Sequence, residues 1–97
     1  MTESHQRRAP VDLSPTGWPH EAASDPIAEV DRRFILRVRA AMGQETARSL
    51  AERAGISHGT LNNLLAGKAW PTLSTIARLE RALATDLWPG RVLSDHD

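Results

Sequence analysis

The stretch TARSLAERAGISHGTLNNLLAGKAWP, Thr46 to Pro71, decides how this chain folds. Its first part spaces Ala47, Leu50, Ala51 and Ala54 along one helical face, and Gly55 follows as the residue best able to turn the backbone left-handed. Ser57 then opens a second helix, over about Ser57 to Leu65. Its hydroxyl suits the free amides of a first turn, and Leu61 and Leu64 share the inner side. Two helices joined by so short a turn approach closely only when the contact residues are small and the turn residue tolerates positive φ. Ala51 and Gly55 meet those demands. Ile56, Leu61 and Leu64 then pin the second helix to the core, which places His58, Gly59, Asn62 and Asn63 on or near its outward face.

Working toward the N-terminus, Asp25 followed by Pro26 signals a helix start that runs to about Met42. Ile27, Val30, Phe34, Val38 and Ala41 are expected to form its buried stripe, with Gly43 as terminator. Leu36 falls off that stripe; with Ile35 beside it, it reads as a contact for a second subunit. Residues 1–25 hold Pro10, Pro15 and Pro19 and little periodicity, so they read as a flexible arm. Within the arm Trp18 is a candidate to dock on the domain, and Arg7 with Arg8 to follow a polyanionic backbone, solvent exposure being the alternative for both.

Toward the C-terminus, Gly67, Lys68 and Pro71 mark a loop, and Thr72 caps a further helix with Leu73, Ile76, Leu79 and Leu83 inward. Leu87 and Trp88 are expected to fold back as a short fifth turn or helix, and 90–97 to form a flexible tail. The expected architecture is therefore all-α, a compact bundle of four to five helices over 26–89.

Composition narrows the function classes. The 97 residues hold no cysteine, which removes disulfides, thiolate metal sites and thiol nucleophiles. There is no long apolar run and no apolar stretch of signal type near the start, so neither membrane nor export is expected and a cytoplasmic location fits best. His5, His20, His58 and His96 are scattered, without an adjacent carboxylate pair, so no metal, cofactor or catalytic site is expected. No phosphate-binding glycine loop or nucleophile elbow is present. Net charge is zero, yet between Arg32 and Arg81 nine basic residues face three acidic ones. That local excess matters for a polyanion, because screening hides charges beyond about 10 Å. Solvated helix faces are the alternative reading of the same arginines.

The decisive stretch resembles the helix-turn-helix of the Cro and lambda-repressor class, the XRE family. The resemblance covers roughly Val30 to Trp88. It rests on the spacing of Leu50, Ala51, Gly55, Ile56, Ser57, Leu61 and Leu64, then Gly67, Lys68 and Pro71, then an amphipathic fourth helix. The stretch AWPTLSTIARLERAL, running on to DLWP, is similar to short actinobacterial members. The resemblance implies a lambda-repressor-like bundle whose second motif helix lies in the major groove of double-stranded DNA. It assigns base reading to His58, Gly59, Asn62 and Asn63. Asparagine suits the role, because its amide donates to and accepts from adenine at once, worth about 1 to 3 kcal/mol of discrimination. Phosphate contacts fall to Thr46, Ser57, Thr60, Gly67 and Lys68, with Arg39 and Arg48 as auxiliaries; Gly67 would let the backbone approach closely.

Two departures stand out. Ala47 occupies the position where many relatives carry a phosphate-clamping glutamine, and Gln44 lies too early to replace it. Gly59 removes a side chain where relatives often read a base, and weakens its helix by roughly 1 kcal/mol relative to alanine. Leu65 is expected to pack against Trp70. The resemblance further implies a homodimer on a pseudo-palindrome with half-sites about one helical turn apart, acting on the nucleoid. The alternative is a protein-interaction module, adaptor or antitoxin-like, that binds another protein through Leu36, Trp18 and the arm.

Overall fold

Each α-helix starts on a side-chain oxygen placed one residue before it. In the computed structural model, which describes residues 8–14 and 17–91, Asp25 Oδ1 accepts the amides of Ile27 (2.8 Å) and Ala28 (2.9 Å) at the head of α1, Pro26–Met42. Thr46 accepts from Ser49 (3.1 Å) for α2, Ala47–Ala54. Ser57 accepts from Thr60 (3.0 Å) for α3, His58–Leu65, and Thr72 from Thr75 (3.1 Å) for α4, Leu73–Leu83. Such caps satisfy amides that the helix itself cannot, each for about 1 kcal/mol. Gly55 ends α2 in the left-handed region at φ 76°, as its place in the sequence requires. Among the described residues there is no strand, and the fold is all-α.

The core gathers Phe34, Ile35 and Val38 of α1 with Leu50 of α2, Leu61 and Leu64 of α3 and Leu79 of α4. α2 packs on both α3 and α4, with Ala51 and Ala54 fully buried between them. Two expectations about α1 are corrected. Ile27 is 67% exposed and Ala41 is exposed, whereas Ile35 is in the core, so it offers no surface to a second subunit, and Leu36 is half-buried. Val30, Phe34 and Val38 are buried as expected, and Ala28, Glu29, Asp31 and Ile35 join them, so the buried face is rotated in part from the expected stripe. Leu73 likewise stands exposed at the first turn of α4. Among the described residues no fifth helix follows, but Leu87 folds back on the core as expected, where the Glu80 carboxylate accepts the amides of Leu87 (2.8 Å) and Trp88 (3.0 Å). Those bonds hold the Glu80 carboxyl below its ordinary range.

Residues 8–14 and 17–25, the described ones before α1, differ most from the reading as a flexible arm. Pro10–Leu13 form a 3-10 helix against α1, with Pro10 and Ser14 buried. The Val11 amide donates to the Gly67 carbonyl (2.9 Å), Trp70 Nε1 to the Arg8 carbonyl (2.8 Å), and Trp18 Nε1 to the Leu65 carbonyl (3.1 Å). Glu29 completes the attachment. It accepts the Ala23 amide (2.9 Å), Arg32 through Nε and Nη2 (both 2.7 Å) and Arg33 Nε (2.9 Å), while Arg32 Nη1 donates to the Pro19 carbonyl (3.0 Å). These bonds, with Arg32 contributing most, hold the Glu29 carboxyl down at about 2. Prolines erase helical periodicity, but they also reduce the entropy lost on ordering, so a segment without a pattern can still be fixed by contacts distant in sequence. Arg7 and residues 92–97 lie outside the described residues.

Candidate nucleic-acid interface

α3 presents one side to the core and the other to solvent. Leu61 and Leu64 are buried, and Gly59, Thr60, Asn62 and Asn63 are exposed, with His58 half-exposed. The eight residues of α3 carry no ionised carboxylate and no lysine or arginine, so its outer face is a set of neutral donors and acceptors. Asn62 Nδ2 lies 3.0 Å from His58 Nε2, the meeting expected of side chains one turn apart. The contact uses one amide proton of Asn62 and leaves its carbonyl and second proton available. A β-carbon on Gly59 would meet nothing within 4 Å, so this glycine makes a gap in the outer surface instead of serving internal packing.

The two hydroxyls at the head of α3 divide their work. Ser57 Oγ accepts the Thr60 amide and donates its only proton to Thr60 Oγ1 (2.7 Å). Its hydrogen-bonding capacity is thus spent on the cap, and Thr60 keeps a hydroxyl proton on an exposed site. Thr46 accepts from Ser49 and also keeps its proton, beside the first-turn amides of Ala47 and Arg48 for which the helix supplies no acceptor.

The expectation for Gly67 is corrected. Its backbone is buried, its amide donates to the Leu64 carbonyl (3.0 Å), and its carbonyl takes the Val11 amide. The Trp18 indole covers it, so no phosphate reaches this backbone. Trp18 is correspondingly withdrawn from any role as a free docking side chain. Lys68, next in sequence, is exposed, and Arg48 is exposed in the first turn of α2. Arg39 Nη2 donates to the Leu65 carbonyl (3.0 Å), which ties a guanidinium to the C-terminal end of α3 and shares that oxygen with Trp18. Sequence spacing gave no signal for this shared acceptor, since its donors come from 26 and 47 residues away.

The structure also trims the positive patch. Arg32 and Arg33 are bound to Glu29, and Arg53 is bound to Glu45 through Nε (2.8 Å) and Nη2 (2.7 Å) and to the Ala82 carbonyl through Nη1. Arg53 and Ser49 together lower the Glu45 carboxyl to about 2. These three arginines hold the fold together. Lys68, Arg48 and Arg39 are exposed and form no ion pair among the described residues, Arg39 being bonded only to the Leu65 carbonyl. Arg78, which sequence reading did not single out, has its guanidinium over Gly55, 3.1 Å from where a β-carbon would sit. No group of three or more potential metal ligands occurs among the described residues, and none of their helices is long and apolar enough to cross a membrane.

Comparison with known families matches residues 46–87 to the model described as Helix-turn-helix, a family of DNA-binding regulatory domains and not of enzymes. None of the curated proteins and none of the solved structures compared matches the chain.

Proposed function

We propose that the protein is a sequence-specific regulator of transcription of the Cro and lambda-repressor class that reads the major groove with α3, a reading supported by the match of residues 46–87 to the helix-turn-helix model. The observation that carries the reading is the outer face of α3: uncharged, hydrogen-bonding and unused by the core, on a helix fixed by Leu61 and Leu64. Asn62 and Asn63 are the base readers, each suited to the paired donor and acceptor of adenine. His58 orients Asn62 and offers its own ring nitrogen. Gly59 brings the α3 backbone close to the bases. Thr46, Thr60, Arg48, Lys68 and Arg39 contact phosphates on the flanking strands and fix the register, and Ser57 supports Thr60 from behind.

One such module covers a half-site, so the proposed binding unit is a homodimer on a pseudo-palindrome, half-sites about one helical turn apart. The proposed site of action is the nucleoid, in the cytoplasm. The test is selection of bound duplexes from a random pool, followed by titration at two salt concentrations. The expected result is one enriched motif, repeated with inverted symmetry, whose affinity falls steeply with salt. No enriched motif, or binding indifferent to salt, would overturn the proposal.

A further inference from the structure

Three large apolar side chains stand exposed among the described residues, Ile27, Leu73 and Trp88, and all three border one groove. The groove lies between the first turns of α1 and α4, closed at one side by Trp70 and encloses a cavity of about 180 Å³. Asp31 lines it as well. Its residue is only 3% exposed, and neither carboxylate oxygen has a hydrogen-bond partner. Two residues earlier on the same helix, Glu29 meets the same burial with two arginines and a backbone amide. Asp31 has no such arrangement.

We propose that this groove docks a basic segment of another protein, which seats one arginine or lysine on Asp31 and covers Ile27, Leu73 and Trp88 with its apolar flanks. A carboxylate buried without a partner is strongly unfavourable, and the missing group is a cation or a strong donor. The burial that leaves Asp31 unpaired also pushes its carboxyl up to about 7. The cavity is smaller than the roughly 300 to 1,000 Å³ of small-molecule sites, yet the apolar rim extends beyond it. It fits one side chain projecting from a larger surface. Arginine and lysine are suited to it, because their stems lie along apolar walls while the charged head reaches further.

A second copy of this chain is a poorer occupant. Symmetric pairing through one face sets the same residues on both sides, and the lining contains no basic residue, so neither Asp31 would gain a cation. The lining also contains no residue of α2 or α3, so an occupied groove leaves the proposed DNA face open.

The experiment pans random peptides displayed on phage against the full-length protein, with counter-selection on the Asp31→Leu variant. The expected peptides carry an arginine or lysine between apolar residues. A synthetic peptide of the enriched sequence should shift the NMR resonances of Ile27 and Trp88 and leave DNA affinity unchanged. It should lose about thirtyfold or more in affinity when its base is replaced by citrulline or norleucine, or when Asp31 is replaced by leucine. Leu73→Lys, at an 85% exposed position, should abolish binding as a second variant by removing an apolar wall and repelling the basic segment. Failure to enrich peptides, enrichment without a basic residue, or equal affinity for Asp31→Leu would each overturn the proposal. So would a concentration-dependent dimer in sedimentation that Leu73→Lys abolishes, which would hand the groove to a second copy. If deletion of residues 1–7 raised peptide affinity, the groove would belong to the chain's own first residues, and the proposal would likewise fall.

Discussion

A β-carbon built on Gly67 would lie 2.6 Å from Cε2 of the Trp18 indole, so the one residue without a side chain is the seat of the largest one in the N-terminal segment. Gly67 also sits at φ 74°, a conformation unfavourable for other residues. Gly67→Ala is therefore expected to lower stability by about 2 to 4 kcal/mol, through backbone strain and displacement of the indole together. Gly43→Ala is the control: it has positive φ and open space, and should cost about 1 to 3 kcal/mol through backbone strain alone. Urea unfolding followed by tryptophan fluorescence measures both, and the Gly67 variant alone should show Trp18 exposed to water.

Glu29 ties the N-terminal segment to α1 through the Ala23 amide and two arginines. Glu29→Gln leaves Arg32 buried without its partner, and should cost about 2 to 4 kcal/mol at neutral pH. The carboxyl is held near 2 in the fold against an ordinary 4.5, so its contribution is present above 4.5 and is lost as pH falls toward 2. The difference in Tm between variant and parent should shrink across that window.

Asp31 has the opposite sign. Burial raises its carboxyl from 3.8 to about 7, so the folded state holds a proton that the unfolded chain releases. Its contribution is fully present below 3.8 and is lost as pH rises through 7. Between 4.5 and 7 the Glu29 contribution is steady, and the stability of the protein should fall with pH because of Asp31. Asp31→Leu should flatten that slope and raise Tm at pH 8 more than at pH 5, as read by thermal scans at the two pH values.

The basic residues separate by partner. Lys68→Ala should weaken binding to every duplex alike and lower the salt slope by about one. Arg53→Ala should leave DNA affinity and salt slope unchanged while lowering Tm, because Arg53 is held by Glu45 and the Ala82 carbonyl. Titrations with a fluorescent duplex at several salt concentrations distinguish the two.

What was legible in the sequence is what local chemistry determines. Asp25, Ser57 and Thr72 each cap the helix that their position announces, and Leu61 and Leu64 face inward as their spacing requires. The rotation of α1 was not legible, since Ile27 and Ile35 compete for burial and only the packing against α4 and the N-terminal segment decides between them. Trp18 was legible as a candidate to dock on the domain, but where it docks was not. Its acceptor is the carbonyl of Leu65 and its seat is Gly67, and backbone groups leave no trace in a pattern of side chains. For the same reason Gly67 read as a place for a phosphate when it is a place for an indole.

The most direct test of the central claim compares the Asn62→Ala/Asn63→Ala double variant with the parent on two duplexes, the selected site and an unrelated sequence of equal length. Both asparagines are exposed, so the variant should fold like the parent. At about 1 to 3 kcal/mol for each lost pair, affinity for the selected site should drop by roughly a hundredfold, while the unrelated duplex, held through its phosphates, is bound as before. Equal affinities of variant and parent for the selected site would contradict the account.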